Sequence, residues 1–492
     1  MKKILLSMLA VITGLVSCDD WLDVNTNPNR PQEVGNSLLI PSVEAALVGM
    51  VGGNLFNIAG FLAQYTEQPP EANQYNALCE NRYDNDLFST PYNRLYAGAL
   101  EDAKTVMEQA AASEEWGDNF VAVVLRAYTF QVIVDFIDQA PYSEALKGNE
   151  IPMPKWDAGE SIYAGILGEL DEAEALLTSA SRVSADLILN KDLNRWIQFA
   201  NALRLRIYMR SSQAQDNSAK IRELIQKGNF FAGDIKFDVF VSEAGRFNPW
   251  YNTNSFTLST TNHVGSYPIV SYLKVTDDPR IADIFKKATG PDAYEGMLPG
   301  SKTVLPTSVR NDAFSFLTAY DRPTTPVYLY TQSELQFFLA EAYVRFLNDD
   351  VRAQEAYELA IRSNFATTRG LADDPAKIYG SGAPCAWSAA ATADAKLRLI
   401  AMQKWVALCM VNNVEGWAEV RRMNYPPLSP HTASNINSDP TVYTAGDLIA
   451  PWVNDEAGGR LASRLYFPKT AVELNDNTPA QIGRTVPVWW DK

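Results

Sequence analysis

Histidine is nearly absent from this chain of 492 residues: there are two, His263 and His431, both in loop-like sequence. Cysteine is scarce too, at four. The chain holds no HExxH, CxxC, GxSxG, phosphate-binding loop or GxGxxG, so the familiar metal, nucleophile and nucleotide chemistries have no foothold. Asp84-Asn85-Asp86 resembles the start of a calcium loop, but Ser89 stands where the sixth position needs glycine, so no metal is expected. A glycosidase needs only two placed carboxylates, and 58 acidic residues leave that option open; solvated helix faces account for most of them. No cofactor and no catalytic residue is therefore assigned. Basic charge is also short: 42 Lys and Arg against 58 acids give a net charge of −16. Such a surface repels phosphate backbones and anionic headgroups, which argues against nucleic acid as a partner.

Long apolar runs are missing except at the start. Lys2 and Lys3 precede an apolar run from Ile4 to Val16, shorter than the about 20 residues that span a bilayer. It reads as a signal-peptide core over residues 1–17. Leu15-Val16-Ser17-Cys18 has the pattern of a bacterial lipobox, so Cys18 is the expected lipidation site and the chain an exported, lipid-anchored protein. Asp19 to Gln32 is polar and turn-rich, with Asn-Pro and Arg-Pro steps that disfavour helix, and reads as a tether over 18–33. Three thiols remain after lipidation, enough for at most one disulfide. Cys409 sits in an apolar helical run, whereas Cys79 and Cys385 lie in loop-like sequence that could accommodate a bond between them.

What is abundant is helical periodicity. Ile162, Ile166, Leu170, Ala173 and Leu177 form one amphipathic stripe, and Trp196, Phe199, Ala200, Leu203 and Ile207 another. Asn119 to Ile137 is apolar nearly all round. Thr331-Gln332-Ser333-Glu334 is a capping box ahead of an apolar run. The following helix carries Ala353, Tyr357 and Ala360, the A-x3-Y-x2-A spacing of a tetratricopeptide repeat. Paired helices with short joins predict a mainly α fold, a tetratricopeptide-like right-handed helical superhelix over about 34–227 and 331–492. Residues 228–330 differ: Gly245 to Leu273 is rich in Asn, Ser, Thr, Tyr and Trp. A structureless loop of that length is improbable in a compact domain, so an ordered, loop-rich subdomain inserted in the frame is expected. A second insertion runs from Asn424 to Arg464.

Several segments together resemble the SusD/RagB family of outer-membrane nutrient-binding lipoproteins, in particular its second SusD-like branch. They are Leu22 to Asn29 (LDVNTNPN), Asp135 to Leu146 (DFIDQAPYSEAL), Arg195 to Arg210 (RWIQFANALRLRIYMR), Asp278-Pro279-Arg280-Ile281 and Ile400 to Pro426. Tyr466-Phe467-Pro468 and Asn475 fit a further motif, although Ala471 stands where the family has glutamate. The resemblance implies a non-enzymatic surface lipoprotein that captures oligosaccharide or polysaccharide and works with a SusC-like TonB-dependent transporter. Asp19 and Asp20 after Cys18 resemble the acidic export signal of such lipoproteins. Two other readings are a tetratricopeptide-like lipoprotein scaffold for protein partners or peptides, and a surface glycosidase.

A neutral glycan offers hydroxyls and apolar C–H faces, so its site needs flat rings beside polar side chains. Two loop-like regions supply that mixture: Tyr75, Tyr83, Asp84 and Tyr92 in the first, and Trp250, Tyr251 and Asn252 in the second. Trp250-Tyr251 is the leading candidate, because an Asn-Pro turn precedes it and no helical stripe claims it.

Overall fold

The computed structural model describes residues 34–290, 293–453 and 459–492. The tether and Cys18 lie outside the described residues. The frame begins with α1 (Asn36–Gly49), which runs through a π-helical turn at Met50–Asn54 into α2 (Leu55–Leu62). Gly52 in that turn is required by close approach: a Cβ there would meet Val327 Cγ2 at 2.2 Å. Next come α3 (Glu101–Ser113) and α4 (Trp116–Ile137), joined by a two-residue turn with Glu114 in the left-handed region. The apolar α4 is almost entirely buried, with α3 and α5 (Gly159–Ala175) packed on it, so it is the central core helix.

α6 (Leu193–Ser211) is capped by Asp192, whose side chain accepts from Asn194 N and Arg195 N, and α7 (Ser218–Lys227) packs on it. In the second half, α9 (Gln332–Ala342) starts where Thr331 accepts from Glu334 N, and α10 (Asp350–Ser363) folds back on it. Ala353, Tyr357 and Ala360 are fully buried, as the repeat spacing requires. α11 (Ala393–Leu408) and α12 (Asn413–Met423) complete the frame.

Residues 228–330 are built from short pieces. Strand β1 (Thr66–Glu67) pairs antiparallel with β3 (Val264–Gly265), and β2 (Ile235–Phe237) with β4 (Val327–Tyr330). One longer helix, α8 (Tyr267–Val275), lies between them. The three thiols are free and buried. No Cys79–Cys385 bond forms, since Cys79 Sγ accepts from Gln68 N at 3.2 Å while Cys385 Sγ lies beside Gln403 Nε2 at 3.3 Å.

Ion pairs tie the frame together. Arg206 and Arg210 of α6, Lys404 of α11 and Arg422 of α12 are buried with Asp135, Glu334, Glu341, Glu415 and Glu419. Arg206 reaches Glu334 at 2.8 Å, Arg210 pairs with Asp135, Glu415 and Glu419, and Arg422 reaches Glu341 at 2.5 Å and Glu419 at 2.6 Å. Burial alone would raise the Glu415 carboxyl, but Arg206 and Arg210 overcome it and hold it down to about 2. For Glu334 burial wins over Arg206, and its carboxyl is pushed up to about 7. Trp196, Trp405 and Trp417 are all buried in the core.

Candidate functional site

The Asn248-Pro249-Trp250-Tyr251 stretch folds as one helical turn. Asn248 Oδ1 accepts from Trp250 N at 2.9 Å and Tyr251 N at 3.1 Å, and Pro249 fits the first helical position because its missing N–H would be unpaired there. Consecutive residues of a helix face different directions, so Trp250 turns inward and Tyr251 outward. Trp250 is only 4% exposed. Its Nε1–H donates to Asn57 Oδ1 at 3.3 Å, and the same oxygen lies 2.6 Å from His263 Nε2. Asn57 Oδ1 can only accept, so Nε2 carries the imidazole proton and Nδ1 accepts from Tyr320 OH at 2.7 Å. Tyr320 OH in turn accepts from Asn262 N at 2.8 Å. Burial pushes the His263 pKa down to about 3, so the ring is neutral at physiological pH.

Rings close around this imidazole. Phe61, Tyr75 and Trp250 have centroids 5.2, 5.1 and 5.1 Å from it. Tyr75 OH donates to Asn254 Oδ1 at 2.6 Å, and Asn254 Nδ2 donates to Trp250 O at 3.1 Å. Tyr75 and the 250–254 turn, far apart in sequence, therefore meet around His263. Both nitrogens of that histidine are engaged, which makes it a cross-link and not an acid or base.

The other residues singled out from sequence separate. Trp250 cannot stack on a ligand at the surface, because its ring is buried and its N–H is taken by Asn57; its burial corrects the expectation from sequence. Tyr83 is also buried, donating to Arg464 O at 3.1 Å and packing on Tyr466. It belongs to the packing of the C-terminal segment and offers no face to a ligand. Asp84 is exposed and caps its own turn through Asp86 N at 3.0 Å. Tyr92 is half-buried between Tyr96 and Trp156, at 4.5 and 6.3 Å, away from the Tyr75 cluster.

Tyr251 and Asn252 remain half-exposed. Two rings not singled out from sequence join them: Phe247 lies 5.2 Å from both Tyr251 and Phe256, and Phe256 is 52% exposed. Sequence reasoning likewise misses His263, Tyr320, Asn57 and Asn254 as partners. Their only sequence signal is the density of aromatic and amide residues between 245 and 273. Phe56, Trp250, Val327, Tyr328 and Met410 line a narrow pocket of about 30 Å3, with Arg322, paired to Asp283 at 2.8 Å, among its lining residues. The Phe247, Tyr251 and Phe256 rings are tilted against one another, at 67° and 59°, and form an apolar ridge with Asn252 beside it, which offers ring faces and edges to the C–H groups of a polar, uncharged ligand.

A tetratricopeptide-like helical frame with aromatic rings carried on loops outside it defines a mainly α protein of the repeat-framed class. More particularly, the chain belongs to the SusD-like_2 family, described as starch-binding and associating with the outer membrane, whose model matches residues 28–444. Members of this family are outer-membrane-associated. Solved structures share the fold. A chitin-binding protein aligns with TM-score 0.73 and 22% identity, covering 93% of this chain and 100% of its own. A SusD homolog from Bacteroides fragilis aligns with TM-score 0.71 and 20% identity over 94% and 100%. A chitin-binding SusD homolog from Flavobacterium johnsoniae aligns with TM-score 0.71 and 20% identity over 93% and 96%. No curated protein matches the sequence.

Proposed function

We propose that this protein is a cell-surface lipoprotein, anchored through Cys18, that binds nutrient glycans and delivers them to a SusC-like TonB-dependent transporter in the outer membrane. The observation that carries the binding step is the Phe247–Tyr251–Phe256 ridge with Asn252 at its edge, held in place by the His263 cross-link. The family's description as starch-binding and the chitin-binding relatives support a glycan as ligand. A transporter is required because a lipid-held protein cannot itself carry cargo across a bilayer.

Affinity electrophoresis of the mature protein through gels containing starch, chitin-type or other neutral polysaccharides tests the reading. Retarded migration is expected with at least one polysaccharide, which is recovered intact. Unretarded migration in every gel, with binding to peptides instead, would favour the protein-scaffold reading. Shortening of the polysaccharide would favour the glycosidase.

A further inference from the structure

A second cleft, apart from the ridge, opens where the two insertions meet. It is open to solvent and its volume is about 220 Å3, below the about 300–1,000 Å3 of enclosed small-molecule sites, so it can take only a single unit of a larger ligand. One wall is the start of α8 with the segment 295–298; the other is α13 (Ala433–Ser438), which the Thr432–Asn435 capping box fixes at its start. The walls are rigidly joined. Tyr267 N donates to Met297 O at 2.8 Å, Met297 N donates to Gly265 O at 2.9 Å, and Trp452 N donates to Pro299 O at 2.8 Å. Ile436 is 1% exposed and packs with Tyr267 and Leu298, while the Tyr267 ring rests on Tyr443 at 5.3 Å.

The lining is chemically lopsided. Tyr267, Leu298, Phe314 and Ile436 make most of it apolar, whereas Glu295 and the exposed Asn437 are its main polar groups. The Glu295 carboxylate lies 3.9 Å from Lys274 Nζ. A plain hexose has no methyl group to offer the apolar part of this lining. A sugar bearing an acylamino group matches better. Its methyl finds apolar contacts, its amide N–H has a carboxylate acceptor, and its C–H face has a ring.

We propose that this cleft is a second saccharide subsite that takes an N-acylated amino-sugar unit, with Glu295 accepting the amide N–H and Tyr267, Leu298 and Phe314 receiving the acyl and C–H faces. The assignment rests on the glycan-binding reading above and adds the ligand's class and a second point of contact.

Calorimetric titration of the mature protein with three disaccharides of one linkage tests it: cellobiose, its diamino analogue chitobiose, and N,N′-diacetylchitobiose. The acetylated sugar is expected to bind about tenfold tighter than cellobiose, and Glu295→Gln to remove most of that preference, since a charge-assisted hydrogen bond becomes a neutral one. Asn437→Ala, at an exposed position that the fold does not use, is expected to reduce the preference by about threefold. Tyr251→Ala on the ridge is expected to weaken all sugars without changing their ratio. Equal affinities for cellobiose and the acetylated sugar, or a ratio unmoved by both cleft variants, overturn the subsite and leave the glycan reading standing. Tightest binding by the diamino sugar also overturns it, because Glu295 would then act as a simple ion-pair partner. Binding of no saccharide overturns both.

Discussion

The helical frame and the loop-borne site are each held by a buried polar network, and the two networks are chemical opposites. In the frame, Arg206, Arg210, Lys404 and Arg422 meet five carboxylates within the core. Around His263, Asn57, Tyr320, Asn254 and Asn262 meet with no formal charge at all. Charged networks are costly to bury but hold a unique arrangement, because a charge that loses its partner is penalised heavily. A neutral network of amides, hydroxyls and rings costs less to assemble and leaves the surrounding surface free of strong fields. That suits a surface meant for uncharged ligands, whereas the ionic seam suits helices that must stay in one register.

The largest expected effect comes from breaking the ionic side. Arg210 pairs with Asp135, Glu415 and Glu419 at once, and it is fully buried. Arg210→Ala leaves those carboxylates without their shared partner and is expected to cost about 3–5 kcal/mol. Urea denaturation checks it. A loss below about 1 kcal/mol would show that the acids neutralise themselves by taking up protons, and the contrast between the two networks would then be one of composition only.

The same contrast explains which parts of the molecule are legible in its sequence. Arg206 and Arg210 lie in RWIQFANALRLRIYMR, Lys404 in the QKW helix, and Glu415, Glu419 and Arg422 in EGWAEVRR, so the motifs that mark the family are the ionic seam. Helical periodicity and capping residues place these elements correctly, because both signals are local. Boundaries shift where local signals run out. The stripe reaches Leu177, but α5 stops at Ala175, and α3 is preceded without a break by a helical segment at Ser89–Arg94 and a π-helical turn at Leu95–Leu100. The site is only half legible. Composition picks out Tyr75 and Tyr251, but whether a loop ring faces in or out depends on partners that only the tertiary fold brings in, such as Asn57, 193 positions from Trp250. Trp250 faces in because Asn57 and His263 are there to receive it, and nothing near Trp250 in the sequence announces them.

The neutral side is expected to break with acid, by a smaller amount. Native His263 holds its pKa near about 3 because of burial, against about 6.5 for a free imidazole. Below pH 6.5 the unfolded chain therefore binds a proton that the native state refuses. Stability from this residue is fully present above pH 6.5 and is lost as pH falls toward 3, by about 1.4 kcal/mol per pH unit. At pH 5 the loss is about 2 kcal/mol. The titratable groups around the ring are the Tyr75 and Tyr320 hydroxyls, which stay protonated throughout, burial pushing Tyr75 up to about 12. His263→Gln is expected to flatten the difference in unfolding free energy between pH 7 and pH 5 by about that amount, since all other titrations are shared. An unchanged difference would mean that His263 is hydrated or paired with a carboxylate in solution.

The smallest effect on stability is expected at Tyr251, and it separates the two tasks within the neutral region. Trp250 and Tyr251 are neighbours on one helical turn, yet Trp250 is 4% exposed with its N–H bonded to Asn57, while Tyr251 is half-exposed and touches Phe247 at 5.2 Å. Removing the outward ring gives up one aromatic contact, worth about 0.5–1.5 kcal/mol beyond burial when fully desolvated and less at the surface. Tyr251→Ala should therefore shift unfolding free energy by no more than about 0.5 kcal/mol. If the ridge is where ligand stacks, affinity for a retarding polysaccharide falls instead, by about 5–10-fold for one lost ring contact. Paired measurements of chemical denaturation and affinity electrophoresis on this variant distinguish the two roles. A large stability loss with unchanged retardation would place Tyr251 with Trp250 as scaffold, and the ligand would then have to be sought elsewhere on the loops.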